Sequence, residues 1–198
     1  MADDNKHPQT KSRSDILKRL PGMHTPQTIQ HEMLRVDHAG EFGAVGIYRG
    51  QKDALKHATH ERQSYENICH MAEGEDVHLA HFNKILPERR IRPSLFSPFW
   101  ARGSYILGSV TALISKNNAM ACTEAVETVI GAHYNEQIDF FEAVKDPETE
   151  ALKKFRDDEL EHLDEAVSDG AQQASVYRAA NGIVQSLCKG VITIAEKI

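Results

Sequence analysis

The apolar residues of this chain recur at spacings of three and four rather than two, which predicts helices and no strand of comparable length. Thr25 can cap free amides and Pro26 suits a first helical position, so a helix is expected from there to about His57. A second is expected from about Glu61 to Leu86, with Ile68, Met71, Glu75, His78, Phe82 and Ile85 on one face. Residues 87–98, with three prolines and three arginines, read as a connection that breaks helices. After Ser97 and Pro98 a short apolar helix runs to about Lys116. A long one follows Asn117 and Asn118, from Ala119 to about Val144, turning Met120, Thr123 or Glu124, Glu127, Ile130, Tyr134, Ile138 and Phe141 inward. Asp146 before Pro147 starts a fifth, whose inner face carries Leu152, Phe155, Glu159, His162 and Ala166 and which Gly170 ends. The last, from about Gln172 to Glu196, would bury Val176, Ala180, Ile183, Leu187, Val191 and Ile194. The fold class is all-α, with about six helices and one long crossover.

These inward faces carry ionisable residues among the apolar ones. A carboxylate and an imidazole at i and i+3 lie side by side on a helix, and Glu-x-x-His occurs as Glu75 to His78 and again as Glu159 to His162. With 17 glutamates and 11 histidines, about one such match is expected from composition, so the count decides little. The order decides more. Glu41 precedes Glu75 by 34 residues and Glu127 precedes Glu159 by 32, which reads as a duplicated helical hairpin bringing four carboxylates and two imidazoles to one interior. Without compensation each buried carboxylate would cost several kcal/mol, whereas two divalent cations supply four positive charges. Imidazole and carboxylate donors suit iron or manganese, and the lack of thiolates argues against structural zinc. Asp37 and Asp158 lie next to this face, placed to orient His78 and His162 through their free ring nitrogens.

Length and charge narrow the rest. A chain of 198 residues can bury one substantial core, and 40% hydrophobic with 26% charged residues falls in the ordinary globular range. A net charge of -6 gives no electrostatic reason to expect nucleic acid as a partner. Cys69, Cys122 and Cys188 are odd in number and far apart, so they read as small core residues in a reducing compartment rather than a disulfide framework. Residues 1–24 are polar and mixed in charge, without the apolar run of a secretory signal, and are expected to form a flexible tail. The longest nearly uncharged apolar stretch, Ser104 to Ser115, falls short of the roughly 20 residues that a spanning helix needs.

From about Leu34 onward the chain resembles the demethoxyubiquinone hydroxylases of ubiquinone biosynthesis. The similarity rests on Arg35 through Glu41, Ile47 and Tyr48, Gly50 and Gln51, Ala119 through Thr123, Val126 and Glu127, His133 through Asn135, Phe155 through Asp157, and Glu159 through His162. Phe42 stands where many relatives have tyrosine, and Gly74 supplies no acidic neighbour before Glu75. The resemblance implies a ferritin-like di-iron four-helix bundle with two additional helices, residues 25–198 forming a single catalytic domain. Position by position it implies Glu41 and Glu127 as terminal ligands, Glu75 and Glu159 as bridging carboxylates, and His78 and His162 as one nitrogen ligand per iron. It implies O2-dependent insertion of one oxygen atom into a prenylated methoxy-methyl benzoquinol, demethoxyubiquinol. NADH is the implied electron source, without a dedicated domain, since no Rossmann glycine fingerprint is present. A lipid-binding helper protein of the same pathway is an implied partner.

A prenylated substrate gives meaning to the apolar segment that includes Leu95, Phe96, Phe99, Trp100, Ile106, Leu107 and Val110, which is expected to line a lipid channel or lie on a membrane. Arg89, Arg90 and Arg92 precede it, as basic residues precede a helix that meets anionic headgroups. The expected location is peripheral, on the cytoplasmic side of the inner (cell) membrane. His133 and Tyr134, two turns past Glu127, are catalytic candidates, able to position the quinol or pass an electron. Two readings compete. A ferroxidase or peroxide-consuming di-iron protein needs the same ligands without a lipid channel, and a non-catalytic lipid-binding bundle would hold these acids for structure alone.

Overall fold

Among the described residues six α-helices follow one another and no strand occurs: α1 (Pro26–Leu55), α2 (Arg62–Glu88), α3 (Ser97–Ile114), α4 (Lys116–Val144), α5 (Thr149–Ser168) and α6 (Tyr177–Ala195). The computed structural model describes residues 25–175 and 177–196, so the expected N-terminal tail at 1–24 lies outside the described residues. The hairpins α1–α2 and α4–α5 form a four-helix bundle, α3 lies along α1 as part of the crossover, and α6 packs on α4 and α1. Two apolar cores occupy the ends of this bundle. One gathers Leu34, Phe82, Phe141, Leu152 and Phe155, and the other Leu55, Ile68, Met71, Met120 and Ala166. Each large side chain so buried contributes roughly 1.5–3 kcal/mol relative to exposure. In chain order the ionisable residues fall between these cores on all four helices.

Local chemistry explains where the helices depart from expectation. Helix α4 starts at Lys116 rather than Ala119, because Ser115 caps it by accepting from the Asn118 amide at 3.2 Å. Helix α2 runs through Pro87 to Glu88, since a proline in the last turn forfeits one hydrogen bond just before the helix ends. A 3₁₀ turn at Ala171–Gln173 separates α5 from α6, which starts at Tyr177 rather than Gln172. The inner face of α6 is also shifted. Val184 and Ala195 are buried, while Ile183, Leu187 and Ile194 are exposed. Helix α6 carries one broad apolar face, with Ile183, Leu187 and Ile194 along one edge and Val184, Cys188 and Ala195 along the other, and the bundle covers only the second edge. Val176 lies outside the described residues, as does the side chain of Ala180.

Backbone contact brings α1 and α3 together. A Cβ on Gly108 would collide with the Ile47 carbonyl, and one on Gly50 would collide with the Tyr105 carbonyl and lie 2.7 Å from the Ser109 amide nitrogen. Neither neighbour can rotate away. Gly108→Ala is therefore expected to cost about 1–3 kcal/mol in thermal unfolding. Gly103→Ala, with nothing within 4 Å, is expected to leave stability unchanged or raise it.

Candidate metal centre

Each bundle helix sends its ionisable residues to one place: Glu41 from α1, Glu75 and His78 from α2, Glu127 from α4, Glu159 and His162 from α5, all buried. Their donor atoms form two groups able to hold a cation, within which the donors lie no more than 4.8 Å apart. One group is Glu41, Glu75, His78 and Glu159; the other is Glu75, Glu127, Glu159 and His162. Glu75 and Glu159 belong to both, so the geometry itself makes them the shared carboxylates. His78 Nδ1 lies 3.2 Å from Glu159 Oε1, and His162 Nδ1 lies 3.1 Å from Glu75 Oε1 and 3.4 Å from Glu159 Oε2.

The surroundings hold these groups in place and leave the inward atoms open. Tyr48 Oη donates to Glu127 Oε1 and Tyr134 Oη to Glu41 Oε1, each at 2.6 Å, which fixes both carboxylates across the bundle. The other oxygens, Glu41 Oε2 and Glu127 Oε2, have no hydrogen-bond partner. Neither do both oxygens of Glu75 and Glu159, nor Nδ1 of His78 and His162. Eight buried polar atoms without partners, facing one another on six residues, is the arrangement that a pair of cations satisfies. Without a cation, protonation is the other way to relieve it. Burial, reinforced by the neighbouring carboxylates, pushes Glu41, Glu75 and Glu127 well above the ordinary glutamate range. Burial also works upward on Glu159, but hydrogen bonds from His162 and His78 outweigh it and hold that group down to about 2. Carboxylate and imidazole donors without sulfur fit iron, and no cysteine belongs to either group.

The sequence-predicted neighbours divide. Asp158 Oδ2 lies 3.1 Å from His78 Nε2, opposite the inward Nδ1, as expected of a residue that orients a metal-binding imidazole. Asp158→Ala is expected to weaken metal affinity by about 10–100-fold, read by competitive chelation. Asp37 does not reach a ligand histidine; it accepts from Gln137 Nε2 at 2.7 Å and lies 3.4 Å from His133 Nε2. The position matching Asp158 on α2 is Gly74, where a Cβ would stand 3.2 Å from His162 Nε2, so an acid there would crowd the ring. Tyr134 is buried at the centre, whereas His133 lies off it and is partly accessible. Tyr48 was not singled out as a site residue from sequence. The available signal was its spacing: Tyr48 follows Glu41 by seven residues, as Tyr134 follows Glu127.

An apolar cavity of about 420 Å³ lies where α1, α3, α4 and α6 meet, bounded by Ala44 and Ile47 of α1, Trp100 and Leu107 of α3, Ile130 of α4 and Val184 of α6. Of the seven apolar residues expected at a channel or membrane, only Trp100 and Leu107 line it. Leu95, Phe96, Phe99, Ile106 and Val110 are exposed on the outer side. Arg89 is not available to a headgroup, because it holds Asp146 through two 2.7 Å hydrogen bonds. No helix among the described residues is long and apolar enough to cross a membrane.

A family model described as ubiquinone biosynthesis protein COQ7 matches residues 28–195. The chain is 38% identical over 180 residues to the 3-demethoxyubiquinol 3-hydroxylase of Rhodospirillum rubrum, covering 91% of this chain and 84% of that protein. It is 37% identical over 197 residues to the NADPH-dependent 3-demethoxyubiquinone 3-hydroxylase, mitochondrial, of Dictyostelium discoideum, covering 98% and 89%. It is 40% identical over 181 residues to the 5-demethoxyubiquinone hydroxylase, mitochondrial, of Saccharomyces cerevisiae, covering 84% and 77%.

Proposed function

The chain belongs to the family of the ubiquinone biosynthesis protein COQ7, and on that premise we propose that it hydroxylates demethoxyubiquinol, a prenylated methoxy-methyl benzoquinol, using O2 and two iron ions. The observation that carries this reading is the set of eight unpartnered buried atoms on Glu41, Glu75, His78, Glu127, Glu159 and His162. Glu41 and His78 would hold one ion, Glu127 and His162 the other, with Glu75 and Glu159 across both. The chemistry such a pair supplies when bound is activation of O2 for insertion of one oxygen atom into the quinol ring, the second leaving as water.

The chain's own residues prepare and shield the centre. Tyr48 and Tyr134 each occupy one oxygen of a terminal carboxylate and turn the other inward. Asp158 fixes His78 with Nδ1 facing the carboxylates. Phe155, 4.3 Å from the His78 ring between centroids, excludes water on that side. Tyr134 is assigned to positioning the quinol or passing an electron, with His133 beside it. The apolar cavity behind Trp100 and Leu107 takes the isoprenoid tail. The exposed Leu95, Phe99, Ile106 and Leu113 rest on the bilayer surface, so residues 25–198 work as one peripheral catalytic domain on the cytoplasmic side of the cell membrane. Electrons come from a nicotinamide coenzyme, NADH here, and a lipid-binding helper protein presents the substrate.

The test supplies iron-loaded protein with a short-chain demethoxyquinone, NADH and labelled O2. One labelled oxygen in the quinone is expected by mass spectrometry. Iron oxidation without labelled product, with quinone demonstrably bound, would instead establish a ferroxidase.

A further inference from the structure

The two hairpins match across α1 and α4. Glu41, Ile47, Tyr48 and Gln51 correspond to Glu127, His133, Tyr134 and Gln137, each 86 positions later, and Asp37 corresponds to Thr123. The hydrogen bonds follow the same exchange. Tyr48 donates to Glu127 and Tyr134 to Glu41; one turn further out, Gln51 donates to Thr123 Oγ1 at 3.2 Å and Gln137 to Asp37 Oδ1 at 2.7 Å. The correspondence breaks where Thr123 is answered by Asp37 and Ile47 by His133.

Those replacements change one end of the centre from apolar to polar. Around Gln51 the surroundings are apolar: its amide also donates to the Ala119 carbonyl at 3.0 Å, and Ile47 groups with Cys122, Ala125 and Val126 and faces the apolar cavity. Around Gln137 a cavity of about 480 Å³ between α1, α4 and α6 reaches inward, with His133 and Gln137 in its wall. His133 Nε2 lies 3.4 Å from Asp37 Oδ1 and 3.0 Å from Gln137 Nε2. Two buried acceptors at this end, Asp37 Oδ2 and Gln137 Oε1, have no hydrogen-bond partner, against Gln51 Oε1 alone of the matching atoms at the other. Such atoms are costly unless water or a proton reaches them. Glu32, Glu136, Asp139 and Glu196 also line the cavity with Lys189, a carboxylate-rich wall that suits water and protons better than an anionic ligand.

We propose that Asp37, His133 and Gln137 form a proton inlet serving Tyr134, and that Thr123, Ile47 and Gln51 offer no matching polar route at the opposite end. Ring hydroxylation with O2 consumes two protons and two electrons for each water released, the electrons coming from the nicotinamide coenzyme named above. A proton taken from cavity water by His133 passes to Asp37 and on to the Tyr134 hydroxyl. Burial raises the Asp37 carboxyl above its ordinary range against the pull of His133 and Gln137, so it retains a proton more readily than a surface aspartate. The use made of the proton rests on the hydroxylase reading, whereas the difference between the two ends does not.

The first test needs no turnover. In the metal-free full chain, exchange of buried tyrosine hydroxyl protons with D2O, followed by NMR, is expected to be at least about tenfold faster at Tyr134 than at Tyr48. Equal rates overturn the inlet whatever the protein catalyses. The variant Asp37→Thr with His133→Ile copies the apolar end and is expected to equalise the rates; a difference that persists overturns the assignment to these residues. In the iron-loaded enzyme the same variant is expected to keep two irons. Its kcat is expected to fall about tenfold or more while the solvent isotope effect on kcat rises. Wild-type kcat with an unchanged isotope effect overturns the proposal. Should the double variant fail to fold, His133→Gln carries the same expectations.

Discussion

Replacing Glu159 by alanine is expected to remove iron from both positions at once and take hydroxylation below detection. Glu159 is shared by the two donor groups, and its oxygens face both His78 and His162. Its loss leaves three donors in each group and strips both imidazole Nδ1 atoms of their carboxylate neighbour on α5. Glu41 and Glu127 each belong to one group, so Glu41→Ala or Glu127→Ala is expected to weaken one position more than the other. Metal analysis after anaerobic loading checks this. Two irons in wild type, none in Glu159→Ala and an intermediate content in Glu41→Ala is the expected series. Full iron content in Glu159→Ala would remove the shared-ligand geometry from the account.

Stripping the metal is expected to invert the pH dependence of stability. In the metal-free fold Glu41, Glu75 and Glu127 have raised pKa values, so their contribution is present below the ordinary glutamate value of 4.5 and lost as pH rises through the raised values. His78 and His162 are raised because hydrogen bonds and charge from their carboxylate neighbours outweigh burial. Their contribution is present below 6.5 and is likewise lost as pH rises. Glu159 runs the other way, its contribution being lost as pH falls from 4.5 toward about 2. Between about pH 5 and 7 the five raised groups decide the sign, so the metal-free protein is expected to melt higher as the solution is acidified. Iron at a hundredfold excess over Kd adds about 2.7 kcal/mol per site, so at pH 7 the loaded protein is expected to melt on the order of 10–20 °C higher. Calorimetry of both forms across that range measures it. A metal-free protein that melts higher toward neutral pH would show that these acids are not mutually destabilising.

What the sequence disclosed followed the strength of each physical constraint. The six donor residues were legible because burying a glutamate or histidine among apolar neighbours is costly enough to make each position conspicuous, and the repeated interval tied them together. Tyr48 and Gln51 were equally available through the 86-residue correspondence, but a tyrosine or glutamine on an inner face reads as ordinary packing until its partner is seen. The inner stripe of α6 was not legible, because Ile183, Leu187 and Ile194 are as apolar as the residues actually buried. Only the packing of α6 on α4 and α1 separates them. Arg89 shows the same limit: three arginines before an apolar helix suggest headgroups, yet Asp146, distant in sequence, claims one of them.

In the proposed centre six residues from four helices hold two irons in one shared carboxylate cage. X-ray absorption of the iron-loaded full chain is then expected to show only oxygen and nitrogen donors on iron, at about one imidazole per metal, with a second iron roughly 3.5–4 Å away. Isolated single irons, or sulfur donors from Cys69, Cys122 or Cys188, would contradict it.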